Sequence, residues 1–295
     1  MIGYPIARTD LEALIEQEKP GWLQRAADRT ETFRAKGCYE ESSSMWSDVK
    51  RVYMRLQGEC KCAYCERKLE SVPYGVIEQD VEHFRPKKSV RAFEVPQWLK
   101  DQGIEPTRAP SESHGYYLLP YHPFNYAATC KPCNTALKRG YFPIAGDYDL
   151  TSEDPAALLD EKPYLIYPIG DFDEPPERLI RFHGLSPQAA ASSGHKRARA
   201  LVTIELLELD DVVGRKNLVR ERALIIVALY PQLEKLANGA TGSDEADAQN
   251  IVAGFTQSNA PHTNCARSFN RLFESDRAEA KAVFDRAVQL ILSMS

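Results

Sequence analysis

Cys62-Ala-Tyr-Cys65 and Cys130-Lys-Pro-Cys133-Asn134 decide how this chain is read. Each CxxC pair presents two thiolates from one tight turn, and the two pairs together supply the four sulfurs of a closed tetrahedral zinc site. A zinc ion with four protein ligands has no open position, so it staples the fold and contributes folding free energy rather than chemistry. Cys60 stands beside the first pair, but the spacing from Cys62 to Cys65 closes the better knuckle. Cys60, Cys38 and Cys265 are then the spares among seven cysteines. Residues 66–129 lie between the pairs, too many for a compact zinc ribbon, so the interval is expected to carry something of its own.

That interval holds Asp80-Val-Glu82-His83-Phe-Arg85-Pro-Lys87-Lys88 and Tyr121-His-Pro-Phe-Asn125, and the second knuckle runs on through Asn134 to Lys138 and Arg139. Residues 76–84 and 116–121 are expected as short strands, and the proline-containing stretch 91–115 as an inserted surface loop. Either side of this module the pattern is helical. Leu11, Leu14 and Ile15 lead into it from the front, and Met45, Trp46, Val49, Val52, Tyr53 and Leu56 keep the three-and-four spacing of a buried helix stripe. After residue 147 come strand candidates at 164–169 and 179–182, then helix from about residue 187 onward, with Asp276 and Glu279 placed as a capping box for the last helix. The expectation is an α+β, mainly helical fold in three parts: helical 1–59, the zinc-stapled module 60–146, and 147–295 with short strands followed by helices.

The composition fits an ordinary globular chain of 295 residues, 43% hydrophobic and 27% charged. Its longest apolar run, 223–230, is far short of the roughly 20 residues a membrane helix needs. The first residues carry acidic groups where a signal peptide would be apolar, so a cytoplasmic protein is expected, and clustered cysteines there read as metal ligands rather than disulfides. The net charge of -5 argues against a surface built wholly to hold nucleic acid. Locally the balance reverses: Arg85, Lys87, Lys88 and Arg91 follow Glu82, and Lys131, Lys138 and Arg139 surround the second knuckle. Beside a metal and a base, such cations suit phosphate contacts that position a duplex without reading its sequence, which singles out Arg85, Lys87, Lys88, Lys138 and Arg139.

The order CxxC, acidic residue then His at a strand end, Asn, and finally CxxCNxxxK resembles the HNH endonucleases, whose ββα-metal site sits on a treble-clef zinc core. CAYCE, VEHFRPK and the Asn before CxxCN are similar to the HNH subunits of prokaryotic antiphage systems of the Septu and retron-associated type. The resemblance implies a catalytic trio of His83, Asn125 and Asn134. Glu82 and Asn134 would hold one divalent ion, and Asn125 would brace the loop that carries the histidine. Oxygen ligands suit a hard ion such as magnesium or manganese. A neutral imidazole at His83 is a natural base for activating water near pH 7. Successive strand residues face opposite ways, so for Glu82 and His83 to act together the strand must end or bulge at His83, and Asp80 stays a second candidate ligand.

The expected function is metal-dependent hydrolysis of DNA phosphodiesters, with an RNA-directed nuclease and a non-catalytic zinc-stapled adaptor as alternatives. The resemblance also implies a large ATPase partner, docked on the helical regions. One active centre cuts one strand per event, so duplex breakage requires paired subunits, as in a homo-oligomer, or sequential nicks.

Overall fold

The computed structural model describes residues 1–110 and 115–294; His114, which the sequence sets outside any constellation, lies outside the described residues. Over the described residues the chain is a mainly helical α+β protein with two small two-stranded sheets. Helices α1 (Arg8–Glu18) and α2 (Trp22–Lys36) come first. A tight turn at Trp46–Val49 then leads into α3 (Lys50–Leu56). Next are α4 (Val72–Glu78), β1 (Gln79–His83), α5 (Gln97–Lys100) and β2 (Tyr126–Cys130), followed by a wide-wound helix at Pro132–Lys138. The rest comprises α6 (Pro176–Leu179), β3 (Ile180–His183), β4 (Ser186–Ala189), α7 (Gly194–Leu206), α8 (Lys216–Ala237), α9 (Ser243–Thr256), α10 (Thr263–Ser275) and α11 (Arg277–Ser293).

β1 and β2 pair antiparallel from Gln79 opposite Cys130 to His83 opposite Tyr126, and the wide-wound helix follows β2 directly. The sequence pattern places the first strand at 76–84, but residues 76–78 complete α4. Pro73 sits in the first turn of that helix, where its missing N–H costs nothing. The strand expected at 116–121 is instead a series of turns, with Leu119 N–H bonded to the Tyr116 carbonyl and Pro120 unable to donate to a ladder. The partner strand is Tyr126-Ala-Ala-Thr-Cys130, buried at every position, so it shows none of the alternation by which a half-exposed strand is recognised. Residues 164–169 likewise form no ladder of their own; Ile169 makes a single bridge to Tyr4.

One continuous apolar core draws on all three stretches of the chain, from Trp22 and Phe33 through Tyr64, Phe84 and Tyr126 to Ile226 and Phe269. The 91–115 stretch is more than a surface loop. Leu99 and Ile104 are fully buried against Tyr164 and Val202 in a separate small cluster. Asp276 caps α11 by accepting the Glu279 N–H at 3.0 Å, but the box is half formed, because the Asp276 N–H goes to the Leu272 carbonyl and the Glu279 carboxylate to Arg286.

Candidate active site and cysteine cluster

The four cysteines of the two knuckles meet. All four Sγ atoms lie within 4.8 Å of one another, buried, with Cys65 and Cys130 at 3.8 Å. Zinc–sulfur bonds of about 2.3 Å in a tetrahedron set the sulfurs about 3.8 Å apart, so the donor set fits a structural zinc ion. The Ala63 N–H donates to the Ala128 carbonyl, and the Gln57 carboxamide bonds both backbone groups of Ala128, which fixes the first knuckle to β2. Arg215, just before α8, places Nη2 3.5 Å from Cys133 Sγ and offsets thiolate charge. Cys60 stays outside the cluster.

β1 ends at His83, followed by bends at Phe84 and Arg85 before Pro86. His83 is buried, held edge-on by the rings of Trp46 and Tyr126 with centroids at 4.8 and 5.1 Å. Its Nε2 lies 3.1 Å from the Pro120 carbonyl oxygen. A carbonyl only accepts, so Nε2 carries the proton and Nδ1 presents its lone pair. Burial, reinforced by the Lys87 charge, holds the imidazole well below the ordinary histidine range and therefore neutral at pH 7. Lys87 Nζ is 3.4 Å from Nδ1, and burial brings this ammonium down to about 8 despite attraction from Glu82.

Asn125 is fully buried and fastens the turn that follows His83. Its Oδ1 accepts the Arg85 N–H at 2.7 Å, and its Nδ2 donates to the carbonyls of Arg85 and Leu119, each at 3.0 Å. One side chain thus ties the histidine's loop to the loop whose Pro120 carbonyl orients the imidazole.

Glu82 is buried, with Lys138 Nζ 2.5 Å from its Oε1. That approach is not along a hydrogen-bonding direction: Lys138 donates instead to the His83 carbonyl at 2.7 Å, and Glu82 Oε1 accepts no hydrogen bond among the described residues. Burial raises the Glu82 carboxyl against the pull of Lys138. Glu82 therefore meets the cleft as a buried carboxylate whose one charged partner among the described residues is Lys138, and an oxygen donor of this kind fits a hard metal ion. Asp80 fits less well, because its oxygens are shared among Lys131 at 3.0 Å, Asn134 at 3.4 Å and Thr135 at 3.5 Å.

Glu82, His83 and Asn134 line one open cleft of about 530 Å³, together with Lys87, Lys88, Arg91 and Arg139. Two of the expected phosphate contacts fall outside it. Arg85 is 1% exposed, ion-paired to Glu161 at 3.0 Å and bonded to the Leu158 carbonyl, because its stem turns into the core where Phe84, Tyr116 and Phe142 surround the guanidinium. Lys138 is also fully buried, committed to Glu82 and the His83 carbonyl. Neither reaches solvent, so neither is a phosphate contact. The sequence reading missed Trp46 and Tyr126 as walls of the imidazole; their aromatic character was visible, but their distance in sequence from His83 hid the role. The Pro120 carbonyl has no side-chain signal at all.

No helix of the described residues is long and apolar enough to cross a membrane. No family model and no solved structure matches the chain. Among curated proteins, the chain is similar to the Septu protein PtuB of Bacillus mycoides (strain KBAB4), at 26% identity over 166 residues, 56% of this chain and 49% of that protein. The chain thus spans about half the length of the curated relative it matches, and the similarity marks it as a weak homologue of a Septu protein.

Proposed function

We propose that this chain is a metal-dependent HNH endonuclease that hydrolyses DNA phosphodiester bonds, acting as the nuclease subunit of a Septu-type antiphage defence complex. One observation carries the reading: a neutral imidazole, its tautomer set by the Pro120 carbonyl, lines a cation-rich cleft together with the buried carboxylate of Glu82. The similarity to PtuB supports the defence role.

In this mechanism His83 Nδ1 accepts a proton from water, the resulting hydroxide oxygen bonds to phosphorus, and the bond to the 3′ oxygen breaks, leaving a 5′ phosphate. The departing oxygen takes a proton from solvent. The Nε2–H bond to Pro120 holds the ring in line and stabilises the imidazolium that forms. Glu82 and Asn134 would hold a magnesium or manganese ion, which supplies the Lewis acid that offsets charge on the phosphoryl and departing oxygens. Lys88, Arg91 and Arg139 position the strand through its phosphates. The helical regions on either side would dock an ATPase partner that controls cleavage.

The test compares wild type with His83→Ala on plasmid DNA and on RNA, with magnesium, manganese or chelator, alone and with the co-expressed ATPase. Loss of a general base should slow cleavage about 10²- to 10⁴-fold. Equal cleavage by the two proteins sinks the assignment of His83. Cutting of RNA in preference to DNA moves the substrate, and no cleavage under any condition leaves an adaptor.

A further inference from the structure

Lys87 is poorly served by its surroundings. It forms no ion pair among the described residues, although it lines the cleft and is largely removed from water. Its ammonium lies over the Trp46 ring, 4.3 Å from the centroid, and its one polar side-chain contact is His83 Nδ1 at 3.4 Å. Because Nε2 carries the imidazole proton, Lys87 is the donor in that contact. It therefore covers the lone pair with which the base would take a proton from water.

The contact is long for a hydrogen bond and its acceptor is neutral, which makes it easy to exchange. A phosphate oxygen is a better partner, since it adds the attraction of opposite charges to the hydrogen bond, whereas the imidazole nitrogen is neutral. Lys88, Arg91 and Arg139 line the same cleft, where their charge would attract a phosphate.

We propose that Lys87 is a phosphate-operated latch on the general base: in the free protein it caps His83 Nδ1, and the backbone phosphate of the bound strand draws it away and uncaps the nitrogen. This rests on the nuclease reading and adds to it the way substrate arrival makes the base available. Only a hydrogen bond is exchanged, Nζ–H to Nδ1 for Nζ–H to a phosphate oxygen.

The direct readout is the ¹⁵N resonance of His83 Nδ1 in zinc-loaded, histidine-labelled protein, which moves when a donor occupies the lone pair. In the free protein the wild-type resonance is expected to be displaced from that of Lys87→Met, which keeps the bulk of the side chain but has no donor. Adding a short DNA duplex without divalent ion should bring the wild-type resonance to the Lys87→Met position and leave the variant in place. Coincident resonances in the free proteins overturn the proposal. So does a wild-type resonance that stays put while fluorescence anisotropy shows the duplex bound. If Lys87→Met fails to fold, the wild-type titration carries the test alone. A latch that opens on DNA in a protein that cuts nothing refutes the nuclease reading only, whereas cleavage that depends on His83 with an unmoved resonance refutes the latch only.

Discussion

Replacing Asn125 should disable the site without touching the cleft. Its carboxamide makes three hydrogen bonds to main-chain groups of Arg85 and Leu119, all buried. At a net value of about 1 kcal/mol each, Asn125→Ala should cost about 3 kcal/mol. With an unfolding entropy of roughly 2.1 cal/mol/K per residue, a chain of 295 residues loses about 5 °C in Tm. Asn125→Asp is the sharper probe. One carboxylate oxygen keeps the Arg85 N–H, but the other is pushed against two carbonyl oxygens that need a donor. Only the protonated acid can serve one of them, so the folded state raises the pKa of Asp at this position above its unfolded value of about 3.9. The folded variant then binds more protons than the unfolded one. Its deficit relative to wild type is smallest below the unfolded value and grows as pH rises through the folded one. Urea denaturation of both proteins across a pH series measures this directly. A deficit independent of pH, or an Asn125→Ala variant within about 0.5 kcal/mol of wild type, refutes the assigned clamp.

Other outcomes follow from the same geometry. In DNA binding at varied salt, Lys88→Ala and Arg139→Ala should each lower the salt slope by about 1, whereas Arg85→Ala should leave it unchanged and destabilise the fold by about 3–5 kcal/mol by stranding Glu161. Freshly purified protein should carry one zinc per chain by atomic emission, and Cys133→Ser should lose both the zinc and a large part of the thermal stability. His83 is held well below the usual histidine value by burial and by Lys87. Burial, the larger cause, persists once Lys87 has moved to the phosphate, so cleavage should stay constant as pH falls through about 6.5 and decline below it. Over the same window the unfolded chain takes up the proton first, so folding stability falls. Lys138→Met should leave the Glu82 carboxylate buried without a cation, and manganese should then raise the Tm of this variant more than that of wild type in differential scanning fluorimetry.

The cysteine cluster was readable because knuckle chemistry is local: two residues between ligands is a property of one turn, and only the joining of the two pairs needed the fold. The helical regions were readable for a similar reason, since periodicity and the Asp276 cap are short-range signals. What failed was long-range. β2 is Tyr126 followed by small residues, buried on both faces, so its sequence has no period, while the aromatic run at 116–121 looked like a strand and proved to be turns that pack inward. Arg85 and Lys138 read as surface cations because charge predicts exposure on average. Glu161, which draws Arg85 inside, lies far along the chain, and no spacing rule connects them. The same limit applied to the imidazole, whose walls and orienting carbonyl come from three separate segments.

The carbonyl that orients His83 accepts two hydrogen bonds, from the imidazole at 3.1 Å and from Tyr126 Oη at 2.5 Å. Being part of the peptide backbone, it survives any substitution at position 120. A genetic screen for inactive alleles should accordingly leave Pro120 thinly populated and gather hits at the side chains that hold this peptide in place, Asn125 and Tyr126. Two vulnerable positions of the site would then be ones that never meet a substrate.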